Sequence, residues 1–119
     1  MTPAIYKFYN RATNDSIIMW LHHDGYPNGW FGALERIRSV LSLALFDKLT
    51  VIHEVMKVLE AELVKDEMVA DKLSAEHRYN VDLDDGQATV THYDYKIGTK
   101  HHYILTPDGW KQRWMADAE

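Results

Sequence analysis

Two adjacent histidines and an aspartate, His22, His23 and Asp24, close an apolar run and open the turn Gly25-Tyr26-Pro27-Asn28-Gly29. Imidazole nitrogens and a carboxylate are donors that zinc sites and acid–base pairs use, and His101 and His102 would complete such a set if the last strand lay beside the second. The spacing opposes this. Adjacent residues on a strand point to opposite faces, so neither histidine pair can enter one site unless the chain has already begun to turn. No His-Glu-x-x-His pattern occurs, and the absence of cysteine removes thiolate sites, disulfides and cysteine nucleophiles together. Ser16, Ser39, Ser42 and Ser74 lack a nucleophile-elbow context, and no Gly-rich loop matches a phosphate cradle. Asp84 and Asp85 stand where a hairpin turn wants them. No catalytic residue, metal ligand or cofactor is therefore expected. A small-molecule or metal-dependent activity at the His22-His23-Asp24 turn stands as the alternative.

Binding is the better match to what remains. Trp20, Tyr26, Trp30 and Phe31 gather around the turn, and Tyr93, Tyr95, Tyr103, Trp110 and Trp114 near the C-terminus. Most should be core, but an exposed subset of such rings marks interfaces. Charge is uneven along the chain: of a net −5, residues 47–94 contribute 12 acidic and 5 basic side chains, while the rest carries 6 acidic and 8 basic. An acidic centre disfavours a phosphate-backbone binder and suits a partner with a basic surface. Nucleic acid is not expected as a partner, nor is a membrane, because no stretch approaches the length of an apolar span. The cytoplasm is the expected compartment.

The elements that must position these residues follow from periodicity. At 119 residues and 46% apolar composition the chain is read as one domain. "AIYKFYNRATNDSIIMWLHH" predicts two strands joined by a polar turn at residues 11–15. Pro27 and Gly29 stop the second strand, and Trp30, Leu34, Ile37, Leu41 and Leu45 mark an amphipathic helix with Asn28 as its N-cap. A second helix is predicted from Leu49 into the low seventies, with Ile52, Val55, Met56, Leu59 and Leu63 as its stripe, Asp47 as its cap and an acidic outer face. Alternation returns at Tyr79, Val81 and Leu83, turns at Asp85-Gly86, and continues through Ala88, Val90 and His92. A last strand spans His101–Leu105, followed by the Pro107-Asp108-Gly109 turn and a short amphipathic tail. The fold class is α+β: a small, mostly antiparallel sheet in the order β-β-α-α-β-β-β with two helices on one face.

"LHHDGYPNG", Leu21 to Gly29, resembles a strand-terminal His-x-Asp-Gly-Tyr-Pro-x-Gly motif of small bacteriophage and prophage proteins, and "YNVDLDDGQATV" is similar to their acidic Tyr-x-x-x-Leu hairpin. The resemblance covers about half the chain and departs at His23, where an aromatic is usual. It implies a phage-type interaction protein that binds, and inhibits, a bacterial host defence protein without catalysis. The residues expected to bind are His22, His23, Asp24, Tyr26 and Trp30 at the turn and Glu62, Asp66 and Glu67 on the acidic helix. The turn also has a purely structural explanation, with Asp24 accepting backbone N–H bonds, Gly25 at positive φ and Tyr26 over the sheet edge. Finally, Ile17–Leu21 is apolar on both faces while two helices cover only one. A homodimer through the open face or edge is expected, with burial beneath Trp110–Met115 as the competing explanation.

Overall fold

In the computed structural model, which describes residues 2–29, 32–44 and 48–113, the chain forms one seven-stranded sheet. β1 (Ala4–Asn10) and β2 (Asp15–Leu21) form the predicted hairpin, closed by Asn14 at φ +62°. Then come α1 (Ala33–Leu43), α2 (Leu49–Val58), β3 (Glu62–Val64), α3 (Glu67–Asp71), β4 (His77–Asp84), β5 (Gln87–Asp94), β6 (Thr99–Thr106) and β7 (Gly109–Arg113). Across the sheet the order is β3-β2-β1-β4-β5-β6-β7. Five of the six strand pairings are antiparallel; β1 and β4, at the centre, run parallel.

The sheet is thus α+β and mostly antiparallel, as its alternation predicts, with two strands and one helix beyond the expected set. The β4–β5 hairpin turns at Asp85 (φ +49°) and Gly86 (φ +76°), the two left-handed positions that an Asp-Gly turn supplies. The short tail expected after the Pro107-Asp108-Gly109 turn forms β7 from Gly109 to Arg113, paired with β6 from His102 to Thr106.

The predicted long acidic helix is the largest correction. α2 ends at Val58, Glu60 takes φ +70°, and residues 62–64 pair with β2 as a short edge strand. Its apolar stripe is real only as far as Met56. Beyond that, Leu59-Glu60 reverses the chain, with Ala61 N–H donating back to the Met56 carbonyl. The cap expected at Asp47 lies outside the described residues, and α2 starts after Lys48 with no side-chain cap.

Register sorts the side chains onto two faces. Tyr6, Phe8, Met19, Leu21, Tyr79, Val81, Leu83, Ala88 and Val90 meet α1 and α2 through Leu34, Ile37, Leu41, Ile52 and Met56, all buried. On the other face Ile5, Ile18, Trp20 and Val64 pack against Ala70 of α3 and against Leu73 and Ala75 after it. Ile18 and Trp20 are 7% and 8% exposed, so the bare apolar face that motivated a homodimer does not exist. Trp110 packs on the helix-side core instead; Trp114 and Met115 lie outside the described residues. Among the described residues no helix is long and apolar enough to cross a membrane.

α3 has only five residues and holds its place through its ends. Asp66 caps it by accepting from Val69 N–H at 2.9 Å, and Glu67 receives Arg78 at 2.7 and 2.8 Å and Lys7 at 3.1 Å. Asp66→Ala is expected to cost about 1 kcal/mol, the usual value of an aspartate cap. Faster amide exchange over residues 67–73, with β4–β5 unchanged, would register it; unchanged exchange there would show that the cap contributes nothing.

Candidate functional site

The joint is built by close backbone approach. After Leu21 the chain leaves β2, and Asp24, not Gly25, takes the left-handed conformation, at φ +57°. Gly25 is required for a different reason: its N–H donates to the Thr2 carbonyl at 2.7 Å, and a Cβ would stand 2.5 Å from that oxygen and 2.7 Å from the Ala4 Cβ. The turn then supplies the helix cap from its own backbone. Ala33 N–H donates to the Tyr26 carbonyl and Leu34 N–H to the Pro27 carbonyl, so Gly32 is the N-cap of α1 and Asn28 is not. Tyr26 stays 39% exposed beside Gly29. Trp30, the remaining nominated residue of the turn, lies outside the described residues.

His22 and His23 diverge, as adjacent residues should. The Trp20 indole nitrogen lies 3.0 Å from each ring nitrogen of His22, whose Nε2 is 3.5 Å from the Glu62 carboxylate. His23 instead meets Asp24 at 3.1 Å and Glu60 at 3.9 Å. Among the described residues no backbone N–H donates to the Asp24 carboxylate, which faces His23 and, at 3.9 Å, Arg36. β6, which carries His101 and His102, is separated from β2 by β1, β4 and β5, so those histidines cannot join His22 and His23. Among the described residues no group of three His, Asp or Glu side chains is placed to hold a metal ion.

Beneath the joint lies a polar end of the helix-side face that the sequence reading did not single out. Register aligns Tyr6, Tyr79, His92 and His101 in one row across β1, β4, β5 and β6, and His77, Asp94 and Thr99 in the next. Tyr6 stacks on Tyr79 at 5.3 Å, Tyr79 on His92 at 4.6 Å, and His92 on His101 at 5.9 Å. The joint is fastened to this row. Tyr79 donates its hydroxyl to the Gly25 carbonyl, and Arg36 of α1 donates to the Tyr6 hydroxyl at 2.9 Å and the Asp24 carbonyl at 3.0 Å.

Burial keeps three groups of this end, Tyr6, Tyr79 and His92, uncharged at ordinary pH. Burial pushes the Tyr6 hydroxyl up to about 12 against the opposing pull of Arg36, and burial pushes Tyr79 far up as well, so both stay protonated. Burial, reinforced by the neighbouring His77 and His101, pushes the His92 imidazole down to about 4. His77 Nδ1 and His92 Nε2 stand within hydrogen-bond distance at 2.8 Å, while Asp94 lies 4.0 Å from the same His77 nitrogen. The outer His92 nitrogen and the Thr99 hydroxyl are buried with no hydrogen-bond partner among the described residues. An acid–base catalyst working near neutrality needs a group that titrates there and can reach a substrate proton. The buried, neutral His92 fits a packing role, with its orphaned nitrogen as the one feature of the row left unsatisfied.

The three nominated acids divide. Asp66 is consumed by the α3 cap. Partial burial would raise the Glu67 carboxyl, but the hydrogen bonds and charges of Arg78 and Lys7 outweigh it and hold it below the usual range. Glu62 is different, on the edge strand with a 68% exposed side chain, close to His22. Compared with protein-family models, curated proteins and solved structures, the chain matches none, so the reading of its surface rests on its own geometry.

Proposed function

We propose that the protein is a non-catalytic interaction protein of the phage or prophage kind its joint resembles, binding, and thereby inhibiting, a bacterial host defence protein through a basic surface of that partner. One observation carries the binding part. Five of the nine large apolar side chains exposed among the described residues, Val58, Leu59, Leu63, Met68 and Val69, fall between residues 58 and 69. The same region is acidic: residues 60–71 hold five carboxylates and one lysine. Apolar side chains clustered among like charges are a disfavoured surface for a free molecule and an ordinary one for an interface. The acidic surface anticipated as a helix is thus carried by the end of α2, β3 and α3.

Salt and charge reversal test the reading. The purified protein, immobilised, is expected to capture a bacterial protein at low salt and to release it as salt rises, because exposed charges are screened beyond about 8 to 10 Å at physiological ionic strength. Glu60→Lys combined with Glu62→Lys should abolish capture, whereas Tyr26→Ala at the joint should not. Capture that ignores both salt and charge reversal would remove the acidic surface from the reading.

A second reading places a small-molecule or metal-dependent activity at the joint, and the orphaned His92 nitrogen beneath it is the observation in its favour. Stoichiometric zinc, manganese or nickel lost in His22→Ala would establish it.

A further inference from the structure

β3 covers little of its neighbour. It pairs with β2 only from Ile18 to Trp20, while β2 runs on to Asp15 with β1 alone beside it. Ser16 and Asp15 are exposed there and Ile17 is half-buried. Clefts flank this uncovered stretch on both faces: about 640 Å³ toward α2, reaching Lys48 and His53, and about 650 Å³ toward α3, reaching Leu63 and Asp66. Both are lined by Ser16 and Ile17. The outer side of β3 faces no strand either, since β3 ends the sheet.

From this arrangement we infer that the partner binds by strand addition, laying an extended segment of alternating apolar and basic residues along the open outer edge of β3. This rests on the interaction reading above and specifies its partner. The alternation follows from register. On β3, Leu63 lies on the helix side and is 57% exposed, whereas Glu62 and Val64 lie on the other face. A strand added alongside sends successive side chains to opposite faces. Every second residue therefore meets Leu63 on the helix side, and the residues between meet the Glu62 carboxylate. Edge strands are normally blunted by charge, proline or a covering element; here the exposed Glu60 and Glu62 carboxylates favour a basic strand over an acidic one.

The occupant is a different polypeptide rather than a second copy. Two copies paired through β3 would bring Glu60 and Glu62 of each edge, with side chains 84% and 68% exposed, toward those of the other. Like charges across paired strands are destabilising.

Synthetic heptapeptides provide the test. Blocked Lys-Val-Lys-Val-Lys-Val-Lys, added to the isotopically labelled full chain, is expected to shift the amides of Glu62–Val64 and to protect those that point away from β2. The same peptide with proline at its central position, and its glutamate counterpart, should each bind at least tenfold more weakly. Equal binding of the proline peptide at the same residues would overturn strand addition and leave the basic-partner reading standing. Failure of both lysine peptides while lysate capture persists would overturn the strand chemistry alone, and failure of capture too would overturn both. Light scattering supplies a further outcome: twice the 13.9 kDa chain mass, with those amides already protected before peptide is added, would show a second copy in the groove and overturn the proposal. Should Leu63→Lys prove folded, a tenfold loss of peptide affinity supports the site; unchanged affinity overturns it.

Discussion

Gly32→Ala should be among the most damaging single-atom additions this chain can suffer, costing about 3 kcal/mol or more, with a drop in Tm of roughly 10 °C. A Cβ at Gly32 would lie 2.3 Å from the Asn28 carbonyl oxygen, 2.7 Å from its carbon and 2.8 Å from the Pro27 oxygen. All three are backbone atoms, so no side chain can swing aside. Relief requires the turn to lift away, and lifting it removes the carbonyls of Tyr26 and Pro27 from the first N–H groups of α1. The fastening of Asp24 and Gly25 to Arg36 and Tyr79 would then be strained from above. Gly98→Ala is the matched control. Gly98 has φ +73° but nothing within 4 Å of its Cβ position, so its cost is conformational alone, about 1 kcal/mol. Urea unfolding of both variants decides it: if Gly32→Ala is no worse than Gly98→Ala, the turn does not pack down on the helix as described.

Much of the fold was legible because local patterns agreed with it. Alternation at Tyr79, Val81 and Leu83 placed β4, Asp85-Gly86 placed its turn, and the three- and four-residue spacing of Leu34, Ile37 and Leu41 placed α1. The same alternation set His92 on the side of Ala88 and Val90, which is where it is buried. What failed was the segment after Val58. Leu59 and Leu63 continue the helical spacing of Ile52, Val55 and Met56 in the sequence, yet Leu63 and Val64 are claimed by β2, whose edge lacked a partner. Tertiary pairing overrode local periodicity there. That segment also supplies α3, which covers the face that seemed to require a second molecule.

The turn was legible as a joint, and its contacts were not. Asn28 has the side chain of a cap, but Gly32, with no side chain, can let the Tyr26 and Pro27 carbonyls reach the helix. The polar row depends on non-local register. Tyr6 and Tyr79 become neighbours only because β1 and β4 pair in parallel, across a separation of more than 70 residues that no local rule specifies. Arg36 lies on the same helix as the predicted stripe but one position before Ile37, and only the approach of the joint gives it Tyr6 and Asp24 as partners.

The second large effect is acid lability traceable to His92. Its imidazole is held near 4 in the folded protein against about 6.5 in an unfolded chain. The fold therefore favours the neutral ring. The stabilisation is complete above about pH 6.5, is lost progressively as pH falls toward 4, and falls no further from this group below that. At about 1.4 kcal/mol per unit, the loss between pH 7 and pH 5 is roughly 2 kcal/mol. Burial sets the direction, and the groups facing the ring reinforce it. His77 stands 2.8 Å from one nitrogen and His101 stacks on the far side, so a second proton in the row meets like charge on either hand. Tyr79, stacked on the ring, is neutral, and the Asp94 carboxylate favours protonation. Because Tyr79 stacks on His92 and holds the Gly25 carbonyl, charging the ring should loosen the joint along with the sheet end. Urea unfolding at pH 7 and pH 5 separates this from the paired Glu67, whose lowered carboxyl loses its contribution only as pH falls below the ordinary carboxylate range. His92→Gln should shrink the wild-type difference between the two pH values by most of its 2 kcal/mol, even if it lowers stability at both. An undiminished difference in the variant would place the acid sensitivity elsewhere.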